Sequence, residues 1–373
     1  MRVLLISPKD PDIPTNLKYL MGGENTYTRE LLESPPLGVT YTYFTDALKR
    51  GEIKYSFWNF GLWVLMKVRI LPPDAGFICI RVLKHFDLIH CHAYNLKLDG
   101  ELTPPVVLSD SSSNFLFLQD YLGWGELRIK AYYFIKKIIV KALIVYDQNL
   151  NLMDARLVVW SEFAKKIHKV LGIDTQKIHV IPPGISLPKT SPRRNDGFHI
   201  LFVGTWFKRK GGDFVVKAYR KLKKRYPKIR LNLIGEVPKG FDLAKGVIHE
   251  EYVSRNKLLS EFFPRADVIV LVPEKAEGYG IVILEAASFG IPAVVSRIWA
   301  LSEVVENGKS GFVVSPGSVA EIARAIEKLI VSPALKIKFG KVARKKFMEN
   351  FWIKVTNKKL HELYTSVVWN KDE

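Results

Sequence analysis

Two carboxylates, Glu277 and Glu285, stand eight positions apart in the stretch VPEKAEGYGIVILEAASFGIPAVVS. The apolar run Asp267 to Val272 that leads into it has the composition of a short buried strand. A polar loop then delivers Glu277-Gly278-Tyr279-Gly280, and Ile281 to Phe289 follow, apolar except for Glu285 and Ser288. Gly290-Ile291-Pro292 stops that segment, and Ala293 to Val295 begin another strand-like run. The order is therefore strand, glycine-bearing turn, helix, strand. Such a unit suits a ligand rich in hydroxyls. Gly278 and Gly280 let backbone N–H groups approach it, and the helix start behind them favours an anion. Glu277 is a charged acceptor for hydroxyl groups. Glu285, inside an apolar helix, is costly without a fixed partner such as a ribose diol. The alternative open at this point is that Glu285 pairs with a nearby Arg or Lys, with Glu277 a solvated loop residue.

A second candidate site is the run Gly204-Thr205-Trp206-Phe207-Lys208-Arg209-Lys210-Gly211-Gly212, which follows the strand-like Phe198 to Gly204. Arg209 and Lys210, after a strand and before a helix, suit a diphosphate leaving group whose developing charge needs fixed cations. A solvated basic loop is the competing reading. Near the start, Val3 to Ser7 reads as a strand, and Gly22-Gly23-Glu24-Asn25 leads into a helix pattern from Thr26 to Leu32. Strand, glycine pair and helix make a phosphate cradle, although an ordinary turn has the same residues. Asp10-Pro11-Asp12 has the spacing of an Asp-x-Asp metal motif, but in a Pro-rich loop without a partner cluster it reads as a solvated turn. His90, Cys91 and His92 end a strand, Phe86 to His92, and alternate faces with no second Cys pair nearby, which argues against zinc. Asp110 closes the next strand, Pro105 to Ser109, and with His90 or His92 is the one visible base–acid pair.

The elements that position these groups follow a strand–helix alternation. Arg156 to Ser161 is a strand running into an N-cap, Pro182-Pro183-Gly184 marks a hinge, and Leu231 to Gly235 is a further strand. Tyr55 to Ile80 is rich in Trp and Phe with Lys67 and Arg69 toward one end, which suits a headgroup interface or an ordinary core helix. Glu126 to Val145 is a helix pattern with Lys130, Lys137 and Lys141 in one stripe. It fits a helix lodged between core and membrane surface, or a buried helix with one solvent stripe.

EGYG followed by LEAASFGIPAVVS resembles the Glu-x7-Glu signature of family 4 retaining glycosyltransferases. ADVIVLVP before it and LSEVVENGKSGFVV (Leu301 to Val314) after it extend the likeness, as do the linker strand KIHVIPPGIS and Asn350-Phe351-Trp352. The likeness covers roughly residues 150–370 well and the first 150 loosely. It implies an α/β protein of two facing Rossmann-like domains (the GT-B fold). The N-terminal acceptor domain would be 1–183, the C-terminal nucleotide-sugar domain 184–353, and residues 354–373 a helix crossing back onto the first. It further implies that Gly22, Gly23, Arg209 and Lys210 bind the donor diphosphate beside Gly204. Glu277 with the backbone of Gly278, Tyr279 and Gly280 would hold the sugar, and Glu285 the ribose. The implied donor is a UDP- or GDP-sugar, with no other cofactor and no metal. The acceptor would be a glycan or lipid-linked molecule, and attack would occur on the face the donor phosphate leaves. Two departures stand out. Thr205 occupies the family's arginine position, so Arg209 has to substitute. Asp110-Ser111-Ser112-Ser113-Asn114 stands where relatives carry a histidine near the reacting sugar, so Asp110 or Ser111 takes that place.

The 373 residues exceed one ordinary core, and 48% hydrophobic with 25% charged residues is a globular balance. Two cysteines, Cys79 and Cys91, make no disulfide framework, and no run reaches the roughly 18 apolar residues of a spanning helix. Met1-Arg2 leads at once into Val3-Leu4-Leu5-Ile6 without a secretory pattern, so the expected location is cytoplasmic. The net charge of +19 concentrates in Lys208 to Arg230 and Lys336 to Lys346. That suits phosphate-bearing ligands or peripheral contact with the inner face of an anionic membrane; no recognition motif accompanies the basic runs, which argues against nucleic acid. Two rival functions stay open: a sugar-nucleotide 2-epimerase using Asp110 with His90 or His92, and a non-catalytic basic binding protein.

Overall fold

The computed structural model describes residues 1–7, 23–57, 77–93, 95–111, 125–143, 146, 155–189, 197–275 and 277–369. They fall into two compact units. One comprises Met1–Asp12, Thr28–Pro182 and Thr356–Glu373, the other Ile13–Tyr27 and Pro183–Val355.

The first unit's elements, in chain order, begin with β1 (Arg2–Ile6), α1 (Gly23–Glu33, shared with the other unit), β2 (Thr40–Tyr43) and α2 (Phe44–Lys49). β3 (Ile53–Tyr55), β4 (Phe77–Val82), β5 (Leu88–His92), β6 (Asn95–Leu98) and β7 (Val106–Asp110) follow. α3 (Glu126–Leu143), β8 (Arg156–Val159), α4 (Glu162–Val170) and β9 (Ile178–Val180) complete the run. Its main sheet has the order β2-β1-β5-β7-β8-β9 and is parallel throughout. A parallel sheet is covered on both faces, which is why Leu4, Ile6, Ile89, Cys91, Leu108 and Leu157 are buried in near-continuous apolar strands. β3, β4 and β6 form a small separate sheet. The two ends of the aromatic stretch Tyr55 to Ile80 are thus strand residues, not helix; its middle lies outside the described residues. Ser161 caps α4, its Oγ accepting from Ala164 N at 3.0 Å.

α3 forms as its pattern requires, but its faces are not those of a buried helix with one cationic stripe. Ile129, Tyr133 and Lys136 turn inward, while Leu127 (85% exposed), Phe134 (68%) and Ile138 (58%) face out. Exposed Lys130, Lys137 and Lys141 line one border of that apolar strip and Arg128 the other.

The second unit contains β10 (His199–Val203), α5 (Gly212–Arg225), β11 (Arg230–Ile234), β12 (Val247–Glu250), β13 (Val268–Leu271), α6 (Ile281–Ser288) and β14 (Ala293–Ser296). α7 (Leu301–Val304), β15 (Gly311–Val314), α8 (Val319–Val331) and α9 (Pro333–Asn350) follow. Its parallel sheet has the order β12-β11-β10-β13-β14-β15. Counted from β10, this is the doubly wound order in which the strand order reverses between the first and fourth strands. Ligands of such sheets bind at the carboxyl ends of those strands. Those ends carry the Gly204–Gly212 loop and the loop bearing Glu277. The last helix, α10 (Ile353–Trp369), belongs to the first unit from Thr356 onward. There the Tyr364 hydroxyl meets Tyr41 OH at 2.9 Å, and Asn357 Nδ2 donates to Ser34 O at 2.6 Å.

Candidate functional site

The loop after β10 is built on glycines that admit no side chain. A Cβ on Gly235 (φ +140°), at the end of β11, would lie 1.9 Å from Gly204 O. Gly211 (φ +80°) caps α5, and its Cβ would lie 2.1 Å from Val272 O. The loop therefore rests directly on the end of β13. Lys210 is fixed at both backbone groups: its N donates to Trp206 O at 2.9 Å, and its O accepts from Val272 N at 3.3 Å.

This pinned turn aims its two cations at one carboxylate. Lys210 Nζ donates to Glu277 Oε2, and Arg209 Nη1 donates to the same oxygen at 3.1 Å. Glu277 is only 5% exposed, so it is not the solvated loop residue of the alternative reading. Burial by itself raises the Glu277 carboxyl. The charges of Lys210 and Arg209, with their hydrogen bonds, outweigh it and hold the group below the usual carboxylate value. Burial also pulls the Lys210 ammonium down, opposed by the Glu277 charge. Two cations converge on one carboxylate in a partly desolvated corner, an arrangement suited to a phosphate.

Behind Glu277, the turn is sterically specified. Gly280 (φ +68°) caps α6, and a Cβ there would stand 2.7 Å from Leu301 Cδ2 and 3.1 Å from Leu271 Cδ2. The Tyr279 side chain is buried edge-on against Phe351 with centroids 6.2 Å apart, so it is a packing group and leaves its backbone as the part that can serve a ligand. Gly278 is half-buried.

Glu285 is 5% exposed on α6, and its partner is Arg255, whose Nη1 donates to Oε1 at 2.5 Å. The same guanidinium nitrogen reaches Thr26 Oγ1 at 2.9 Å. For Glu285 the arginine pairing left open by the sequence is the one observed. Arg255 itself was not singled out. It starts a short helical stretch capped by Ser254, thirty residues before its partner, and no local pattern marks it. Gly22 lies outside the described residues, as do Asp10, Asp12 and Ser112 to Asn114. Gly23 is the first residue of α1, and its added Cβ would be 3.2 Å from Ile281 Cδ1, at the start of α6 within the same unit.

In the first unit, Asp110 is buried at the carboxyl end of β7, its Oδ2 4.0 Å from Nε2 of His168 on α4. Burial pushes His168 down to about 4. His90 Nε2 and His92 Nδ1 both meet Ser109 Oγ, at 2.8 and 2.9 Å, and His90 Nδ1 meets Tyr364 OH at 2.6 Å. His92 stacks on Trp160 with centroids 5.3 Å apart. The histidines of β5 are thus tied to Ser109 and Tyr364, while Asp110 faces His168, a residue that no local pattern singles out. Among the described residues, no group of three or more His, Cys, Asp or Glu side chains is placed to hold a metal ion, and no helix is long and apolar enough to cross a membrane.

The fold is shared with solved glycosyltransferases of GT-B type. Sucrose-phosphate synthase from Thermosynechococcus elongatus superposes with a TM-score of 0.67 at 16% identity, covering 98% of each chain. Anabaena HepE in complex with UDP-glucose gives 0.63 at 15% identity, covering 98% of this chain and 100% of that one. In sequence, the chain is 32% identical over 238 residues to a D-inositol 3-phosphate glycosyltransferase of Pseudarthrobacter chlorophenolicus, covering 57% of this chain and 56% of the relative. A sulfoquinovosyl transferase of Arabidopsis thaliana is 28% identical over 177 residues, 46% of this chain and 34% of the relative. The chain spans about half the length of the curated relatives it matches. Residues 186–346, which hold Arg209, Lys210, Glu277 and Glu285, match the family Glycosyl transferases group 1.

Proposed function

We propose that this protein is a retaining glycosyltransferase that moves a sugar from a UDP- or GDP-sugar to a carbohydrate or lipid-linked acceptor. The supporting observation is the Arg209–Lys210–Glu277 cluster, set after the carboxyl ends of β10 and β13, the two strands between which the order of the second sheet reverses. Donor binding is assigned to residues 184–353 and acceptor binding to 1–183 with 354–373.

In this reaction the bond from the anomeric carbon to the departing phosphate oxygen breaks, and its electron pair stays on the diphosphate. Lys210 and Arg209 stabilise that charge as it develops, so the cations required are side chains and no metal is invoked. An acceptor hydroxyl bonds to the same face of the anomeric carbon, and its proton passes to the departing phosphate oxygen. Configuration is thereby retained. Glu277 shares its charge between the two cations and the sugar hydroxyls, orienting the sugar without forming a bond to it. Glu285 holds the ribose, sharing its carboxylate with Arg255. Asp110 accepts from an acceptor hydroxyl.

Glu277→Gln is expected to lower transfer, measured as nucleoside diphosphate release with acceptor present, by about 100-fold or more. Glu285→Ala is expected to weaken nucleotide affinity about tenfold. Full activity in the first variant together with unchanged affinity in the second would overturn the assignment.

The outward strip of α3 supplies a second element of the proposal. Apolar side chains bordered by lysines match an anionic bilayer surface in both shape and charge, and docking there would bring the enzyme to a lipid-linked acceptor at the cytoplasmic face.

A further inference from the structure

Thr205 leaves the position directly after Gly204 without a charge, and the guanidinium at this corner comes from Arg209, four residues further along. A side chain reaching back from there has many rotamers to lose before it can serve a ligand. We propose that Trp206 is the positioning residue that removes this cost, holding Arg209 over its indole face.

The Arg209 guanidinium carbon lies 5.4 Å from the centroid of the Trp206 ring, within the range of a cation–π contact. The same guanidinium donates from Nη1 to Glu277 at 3.1 Å, so it touches both the ring and the carboxylate. The planar group of arginine is suited to stacking in a way that a lysine ammonium is not. The backbone that carries the indole is held. The Trp206 carbonyl accepts from Lys210 N, and the next residue, Phe207, is buried against Phe241 and Phe202 with centroids 4.8 and 6.1 Å away. A Cβ on Gly212 would lie 2.4 Å from the Phe207 ring, so Phe207 packs directly on the start of α5 and anchors the backbone next to Trp206. The core does not account for the indole, because Trp206 is 58% exposed while its neighbour Phe207 supplies the packing. A large aromatic left open at the carboxyl edge of the sheet, carrying a cation that faces the candidate donor, has a use in setting that cation.

The role of Trp206 rests on Arg209 being a ligand of the donor diphosphate. The test is a double-mutant cycle of Trp206→Ala and Arg209→Ala, with UDP and GDP affinity read by titration calorimetry. Trp206→Ala is expected to weaken the tighter-binding nucleotide by about three- to fivefold when Arg209 is present, and by less than about twofold when Arg209 is already alanine. Trp206→Phe is expected to recover most of the loss, since it keeps a π face. Trp206→Leu, which preserves bulk without one, is expected to behave like alanine and guards against a folding effect. An equal loss with and without Arg209 would mean that the indole touches the nucleotide directly, and no loss would mean that it does not act; either result overturns the positioning role while leaving the donor site intact. Failure of the unaltered protein to bind either nucleotide overturns the donor site itself, and the role of Trp206 with it.

Discussion

At the scale of single residues, the candidate site depends on who partners each buried charge. Glu277 and Glu285 are both buried, and each is met by a cation: Glu277 by Lys210 and Arg209, Glu285 by Arg255. A buried carboxylate without such a partner would be strongly destabilising. On the proposed function, a donor would enter by sharing these pairs, not by meeting bare acids. Glycine geometry is the other constraint at this scale. Gly280→Ala places a Cβ in a left-handed conformation and against Leu301 and Leu271. The expected loss is about 2–4 kcal/mol, from the backbone and from overpacking together. Gly38, with a similar φ of +72° and nothing within 4 Å, is the control. Gly38→Ala should cost only about 1–2 kcal/mol, the backbone part alone. Chemical denaturation of both variants makes the comparison, and equal losses would show that the packing around Gly280 is looser than described.

At the scale of elements, α3 is where pattern and placement part company. Lysines at 130, 137 and 141 define a stripe on any helix, but the pattern does not say which side faces the protein. In the structure Lys136 is buried and Leu127, Phe134 and Ile138 are exposed. A strip of apolar side chains beside lysines binds an interface by adding apolar burial to attraction for anionic headgroups. Phe134→Glu with Ile138→Glu should reduce co-sedimentation with phosphatidylglycerol vesicles by about tenfold or more, since each buried side chain contributes about 1.5–3 kcal/mol. Undiminished binding of the double variant would remove α3 from the membrane contact. Pure phosphatidylcholine vesicles should bind the unaltered protein weakly, because the lysines then have no partner.

At the scale of the whole molecule, the buried histidines of the first unit set how stability responds to acid. Burial pushes His90 to about 3 and His168 to about 4, against roughly 6.5 in an unfolded chain. Their folded values are depressed, so the unfolded chain binds these protons first. The stability they permit is fully present above about pH 6.5 and is lost as pH falls from there toward 4 and then 3. Each histidine contributes a slope of about 1.4 kcal/mol per pH unit in that window. Between pH 7.5 and 5.5 the two together should cost about 2–3 kcal/mol, read from urea unfolding. Replacing His168 by Leu, with Asp110 left 4.0 Å away, should roughly halve this pH dependence. An unchanged slope in that variant would mean His168 is already charged in the folded protein.

The sequence by itself determined the local grammar of the second unit. Apolar runs of strand length, glycines at Gly211, Gly280 and Gly290, and the proline at 292 are short-range signals, and strand, turn, helix and strand appear where they place them. The same signals located the basic loop and both acids. What only the tertiary structure decided is which charges meet. Lys210 and Glu277 are 67 positions apart, Arg255 and Glu285 are 30 apart, and Asp110 and His168 belong to different elements of the first unit. Periodicity reports which face of an element is apolar, but a carboxylate's partner is set by which strand ends the sheet order brings side by side. The outward turn of α3 and the stacking of Arg209 on Trp206 were illegible for the same reason, because each is a relation through space that no spacing along the chain records.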